Sequence, residues 1–197
     1  LVTQKGWWHA PVVSPAGRRV AFVGYPFTTQ TYRTEDLYVG GPDGQGMKKI
    51  SGDMDRDPGT LHWAPDGRGI YFAAGDRGSQ NIFRADTAGR VQPVTTGVHM
   101  LSVASLARTG VAAGTRSSSS EPSDVVRIDL ARGGTTRLTE VNADVLANKR
   151  LGAVEEIWYT STGSTRVQGW IVKPPSFDRT RKYPLILDIH GGPHGMY

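Results

Sequence analysis

Apolar positions along this chain fall into short runs, each introduced by a turn and closed by a glycine. Ser14-Pro15-Ala16-Gly17-Arg18 leads into residues 20–23, all apolar, and then Gly24. Ala64-Pro65-Asp66-Gly67-Arg68 leads into residues 70–74 and Gly75, and a degenerate copy, Ala107-Arg108-Thr109-Gly110, leads into residues 111–113 and Gly114. Pro15 and Pro65 are 50 residues apart, and Ile70 and Val111 are 41 apart. Two further strand-like pieces follow each copy: residues 36–39 and 48–51, then 81–84 and 91–95, then 124–129 and 135–139. A glycine-bearing turn separates the members of each pair. Short β-branched and aromatic runs bounded by Gly, Pro and Asp read as strands joined by turns. The segments just before the three turns, residues 10–13, 60–63 and 100–104, supply a further strand each.

Four strands every 40 to 50 residues is the period of a propeller blade. One blade cannot bury both of its faces, so blades stack around an axis. The fold class expected is therefore mostly β: a partial propeller of about three four-stranded blades over residues 1–150. The Ser-Pro-x-Gly-Arg turn with its apolar strand resembles the TolB-like propeller repeat. Three blades do not close a ring, since closed propellers use about four to eight. Either blades precede Leu1, which is the preferred reading, or a partner chain supplies them. Trp63 and Val13 occupy matching places and are expected to pack between blades, and Trp7-Trp8-His9 against a preceding blade. The serines at 117–120 read as a loop between strands. Residues 25–33 read as a packed connection, with lining of a substrate passage as the sharper alternative. His9, His62 and His99 read as structural.

After residue 150 the repeat stops. Residues 154–159 and 166–173 form a hairpin around a Ser/Thr/Gly turn, and a proline-bearing loop follows. Residues 183–190 are nearly continuously apolar, the mark of a strand buried on both faces as in an α/β sheet. Residues 151–197 are thus expected to be the opening strands of an α/β-hydrolase domain.

This run ends on His190-Gly191-Gly192-Pro193-His194. Two histidines four apart would share one face of a helix, but proline and paired glycines oppose a helix here, so a metal site is not expected. A glycine pair at the C-terminal end of a strand lets backbone N–H groups approach a ligand closely. Such donors can hold the oxyanion formed when a carbonyl is attacked, as in the HGGG-type loop of α/β-hydrolases. Taken alone, the motif is equally a glycine-rich turn leaving a strand.

The surrounding residues decide the matter. WIVKPPSFDRTRKYPLILDIHGGPHGMY, residues 170–197, resembles the prolyl oligopeptidase family of serine peptidases, and its HGGPH form resembles the acylaminoacyl peptidase branch. EPSDVVRIDL and TTRLTEVN in the last blade extend the resemblance across the chain. The resemblance implies a propeller that gates access to a hydrolase domain bearing Ser, Asp and His, and a substrate that is a short or N-acylated peptide. It implies the backbone N–H of Gly192 as an oxyanion donor and Gly191 as shaping the same turn. His190 would brace the loop rather than act as triad base, and His194 would face the substrate or fix the loop. No cofactor or metal is implied. Family members assemble, which admits a homo-oligomer.

The chain has no Gly-x-Ser-x-Gly elbow, and Asp188, Ser161 and Ser164 are not placed to form a triad with His190. In this fold the triad runs Ser, Asp, His in chain order, so all three are expected after Tyr197. The chain is then a fragment whose partner is the remainder of the same polypeptide, inactive alone. A non-catalytic TolB-like scaffold and an esterase on the same fold are the alternatives.

Composition adds exclusions. No cysteine is present, which removes disulfides, thiolate catalysis and Cys-ligated zinc from this chain. The net charge of +5 is spread along the sequence rather than clustered with aromatics, so a nucleic-acid partner is not expected. No apolar run is long enough to span a membrane. Together with the lack of a signal-like start, this fits a cytoplasmic setting.

Overall fold

The computed structural model describes residues 4–30, 32–191 and 196. Three four-stranded antiparallel blades follow one another. The first is β1 (Gly6–Val13), β2 (Val20–Pro26), β3 (Asp36–Gly40) and β4 (Lys48–Lys49), in that order across the sheet. The second is β5 (Gly59–Trp63), β6 (Gly69–Asp76), β7 (Ser79–Asp86) and β8 (Val91–Pro93). The third is β9 (Met100–Leu106), β10 (Val111–Ser117), β11 (Asp124–Asp129) and β12 (Gly134–Arg137). A single parallel pairing, Gln80 with Met100, bridges the second and third blades. The short helix α1 (Ala143–Leu146) and the hairpin β13 (Val154–Thr160) with β14 (Arg166–Val172) complete the order. This is the mostly-β partial propeller that the repeat implies.

The repeated turn has one geometry in all three copies. Gly17, Gly67 and Gly110 donate their N–H to the carbonyls of Ser14, Ala64 and Ala107 at 2.8, 2.8 and 3.0 Å. Each glycine sits at positive φ (70°, 67° and 82°), where a side chain would cost energy. The third copy lacks the proline yet closes in the same way, because the glycine, not the proline, supplies the required conformation.

Alternation along β6 builds two seams. Ile70, Phe72 and Ala74 join Val23, Leu37, Leu61 and Trp63 in a core between blades one and two. Ala73, on the opposite face, joins Ile82, Leu101, Val103, Val126 and Ile128 between blades two and three. Polar groups stitch the same seams: Trp63 Nε1 donates to the Val12 carbonyl at 2.8 Å, and His62 Nε2 lies 3.1 Å from the Val103 carbonyl oxygen. Each innermost strand carries a register break, between His9 and Val12, between Gly59 and His62, and opposite Ala113/Gly114.

A second repeat pins the outer strands. Ser51 Oγ donates to Asp36 Oδ1 at 2.8 Å, Thr95 Oγ1 to Asn81 Oδ1 at 3.1 Å, and Thr139 Oγ1 to Asp124 Oδ1 at 2.8 Å. The acceptor opens or nearly opens the third strand of its blade, and the hydroxyl lies just past the fourth. The Val141 N–H first, then the Thr139 hydroxyl and Arg137, hold the Asp124 carboxyl below its ordinary value. Thr95 Oγ1 also accepts the Ile82 N–H at 2.9 Å in buried surroundings. Thr95→Val keeps the shape but orphans that N–H. It should cost about 1–3 kcal/mol in urea unfolding; a change within error would show that the hydroxyl is dispensable.

Three expectations are not met within the described residues. Val13 is 59% exposed while Trp63 is 6% exposed, because the side of blade one that Val13 faces has no neighbouring blade among the described residues. Trp7 is likewise 59% exposed, and Trp8 packs edge-on against Phe22 and Tyr38 of its own blade. Residues 183–190 form no strand, with Leu185 at 89% and Ile186 at 90% exposure. Their apolar character speaks for a sheet, yet no strand among the described residues pairs with them.

Candidate functional site

The segment leading to the His-Gly-Gly motif meets the propeller at the turn between β6 and β7. Arg77 and Gly78 form that turn, both at positive φ (48° and 73°). Two residues of this kind match the twist of the flanking strands. Asp76 pairs with Ser79 across them.

The hairpin presents a polar-aromatic face to this turn. Glu156 stands opposite Trp170 and Trp158 opposite Gln168, and the period of two places Arg166 on the same face. Glu156 Oε1 accepts from Trp158 Nε1 at 2.6 Å and from Gln168 Nε2 at 2.8 Å. The same Gln168 amide donates to the Arg77 carbonyl at 3.1 Å. The Trp170 indole lies against Gly78, where a Cβ would overlap it. Gly78 N–H donates to Met196 Sδ at 3.0 Å, and a Cβ on Gly75 would meet the Met196 methyl at 3.0 Å.

Arg77, Trp158, Gln168 and Met196 border a cleft of about 630 Å³ that Tyr32, Asp55, Arg56 and Asp57 also line. Its charges balance across short distances. Arg56 reaches Asp76 at 2.6 Å, and Arg77 Nε is 4.0 Å from the same carboxylate. Tyr32 donates to Asp57 at 3.0 Å and Thr34 to Asp55 at 3.1 Å, which ties the 25–33 connection down while leaving Tyr32 on the cleft wall. Burial, then that bond to Asp57, raise the Tyr32 phenol above its ordinary 10.0.

A second, more apolar cleft of about 450 Å³ is lined by Trp170 with His99, Leu151, Val172 and residues 117–119 of the serine loop. His99 Nε2 is buried without a protein partner, and so is Nε of Arg116. Burial first, then the Arg116 charge, hold the imidazole below its ordinary 6.5. The unfolded chain therefore takes up the proton more readily than the fold does. The contribution is intact above about pH 6.5 and is lost as pH falls through the lower, folded value. His99→Gln should flatten the fall of the urea midpoint below about pH 6.5; parallel profiles would acquit His99.

Of the residues expected at the site, Gly191 is exposed and its Cα faces open space, with nothing within 4 Å of an added Cβ. His190 is exposed, with Nδ1 3.0 Å from the Gly191 carbonyl oxygen. Gly192 and His194 lie outside the described residues. Ser161 and Ser164 sit in the hairpin turn and Asp188 in the exposed 183–190 run. Among the described residues no three His, Asp or Glu side chains gather as a metal would need. Nor, among the described residues, is any helix long and apolar enough to cross a membrane. Sequence reading overlooked Arg77, Gly78, Gln168, Trp170 and Met196 as one cluster. Its readable signals were an Arg-Gly pair linking two strand runs and the period-two face of the hairpin.

No protein-family model matches the chain. It is 29% identical over 189 residues to dipeptidyl-peptidase 5 of Porphyromonas gingivalis, a match covering 93% of this chain and 27% of that protein. The solved acylaminoacyl peptidase of Pyrococcus horikoshii is similar in fold, with a TM-score of 0.74 at 22% identity, over 92% of this chain and 27% of that one. The β-propeller domain of the Trilobed protease of Pyrococcus furiosus gives a TM-score of 0.52 at 22% identity, over 68% of this chain and 38% of that domain. The resemblance to prolyl oligopeptidase-type peptidases and the propeller architecture both stand. The chain spans about a quarter of the length of the curated relative it matches.

Proposed function

We propose that the protein carrying this chain is a serine peptidase of the prolyl oligopeptidase type that cleaves near the N-terminus of short peptides. One observation carries most of the weight. The match to dipeptidyl-peptidase 5 covers 93% of the chain, a share that residues 1–150 alone do not supply, so the likeness runs past the blades into the segment that ends at the glycine pair. Residues 1–150 are blades in this reading, and residues 151–197 open the hydrolase domain.

The roles follow from the chemistry. A serine Oγ, held with Asp and His in the remainder of the polypeptide, attacks the substrate carbonyl as the His takes its proton; the His returns that proton to the leaving amine when the C–N bond breaks, and water then hydrolyses the acyl-enzyme. The carbonyl oxygen becomes negative, and the Gly192 N–H donates to it. Each such donor contributes roughly 10²–10³ in rate. Gly191, without a side chain, leaves the approach to that oxygen open, and His190 braces the loop. His194 faces the substrate or fixes the loop. The exposed apolar run at 183–190 pairs with hydrolase strands supplied by the rest of the protein. The propeller limits entry to short peptides, with the cleft beside Arg77 on their path. The dipeptidyl relative favours a free peptide N-terminus; an acylated one is the variant reading. The setting is cytoplasmic, and a homo-oligomer is compatible.

The test is the whole protein treated with a fluorophosphonate that labels active serines, and assayed on dipeptidyl and acetyl-aminoacyl chromogenic amides. Labelling with turnover of either class is expected, with dipeptidyl amides the faster. Neither labelling nor turnover would leave the non-catalytic propeller scaffold as the better reading.

A further inference from the structure

We infer that the two-residue turn of Arg77 and Gly78 is a socket that seats both the hairpin and Met196 on the propeller, and so ties the stretch bearing Gly191 to this blade on either side of it. This rests on the peptidase reading above.

Three contacts from distant sequence converge on two residues. The Arg77 carbonyl accepts from Gln168, 91 residues away, and the Gly78 N–H is given to Met196, 118 residues away. The Trp170 ring fills the space that a side chain on Gly78 would take. The outward N–H and C=O of a tight hairpin turn have no ladder partner and normally face water. Here both are taken by side chains from the segment that follows the blades. Gln168 is oriented for its part, because Glu156 holds the same amide at 2.8 Å and also holds Trp158. Gly75, on the same strand, admits the Met196 methyl at close range.

Glycine is thus required at 78 for two separable reasons: positive φ and the absent Cβ. The contacts are also individually modest. A thioether is a weak acceptor, and one neutral amide bond contributes little net. The seat holds the segment in register yet can open, so the turn is a positioning element and not a catalytic one.

The test uses the full-length enzyme with two readouts: hydrogen exchange of residues 166–172, and kcat and KM on the best amide substrate. Gly78→Val should raise exchange in β14 and lower kcat about tenfold or more, as expected for a misplaced site, with a smaller change in KM. Gly67→Ala is the control, since Gly67 has the same positive φ but nothing within 4 Å of its added Cβ; it should leave both readouts at the wild-type level. Trp170→Ala, which leaves the turn unstrained, should move both in the direction of Gly78→Val. It should also remove most of the added effect of Gly78→Ala when the two are combined. If Gly78→Val does not fold, the Trp170→Ala pair decides alone. An active wild type whose kcat and β14 exchange ignore these changes overturns the socket and leaves the peptidase reading intact. The same holds if Gly67→Ala behaves like Gly78→Val. A wild type without labelling or turnover overturns both.

Discussion

Replacing Trp63 by alanine should destabilise the blades by about 3–5 kcal/mol, the range for emptying a large aromatic site in a packed core. Trp63 is 6% exposed, sits in the seam between blades one and two, and donates to the Val12 carbonyl at 2.8 Å. The substitution removes the ring from Leu61, Ile70 and Phe72 and leaves a cavity that strands cannot easily collapse into. It also removes a side-chain hydrogen bond that ties that seam's inner strands, β5 and β1, together. Trp63→Phe separates the two contributions: it keeps most of the volume and forfeits the bond, so about 1 kcal/mol of its loss reports the N–H alone. Urea midpoints for the three proteins supply the comparison. A loss below about 1 kcal/mol for the alanine variant would mean that the seam is not held by this residue.

Valine at position 114 should cost about 3 kcal/mol or more, at the upper end for overpacking. The glycine lies in β10 where the register with β9 breaks, between Ala113 paired with Ser105 and Gly114 paired with Val103. A Cβ there would overlap the Ser102 carbonyl oxygen. Backbone, unlike the end of a flexible side chain, does not step aside, so β9 and β10 must separate. Gly134 provides the contrast: it is also a strand glycine, but nothing lies within 4 Å of its Cβ position. Gly134→Ala should stay within about 0.5 kcal/mol of the parent. Thermal unfolding of the two variants, side by side, tests whether close backbone approach rather than strand glycine as such is the cause.

Much of the architecture was readable because its signals are local. The Gly17, Gly67 and Gly110 turns announce themselves by residue type, and the strands on either side by their apolar runs. Even the degenerate third blade was legible, since its glycine survived the loss of proline. What escaped was relational. Gly24 and Gly114 end their runs because an inner strand passes too close for a side chain, and nothing in the glycine itself announces that. The pairs Asp36 with Ser51, Asn81 with Thr95 and Asp124 with Thr139 stand at the ends of recognised pieces, but their bonding needs the fold to bring them together. The 183–190 run illustrates the converse. Its sequence describes an environment, burial on both sides, that the described residues do not provide. At the site, the glycine pair was visible as a motif, whereas the Arg77 turn acquires meaning only once Gln168, Trp170 and Met196 reach it.

The side-chain pins have a further effect on how the blades meet other molecules. Because a hydroxyl and its Asp or Asn fasten the end of each fourth strand, these strands can be brief: two residues in β4, three in β8 and four in β12. An edge that short exposes few unpaired amides and carbonyls in register, and so offers little template for a foreign strand to extend the sheet. The rim of this propeller resists cross-strand recruitment by brevity, with no need for a covering helix.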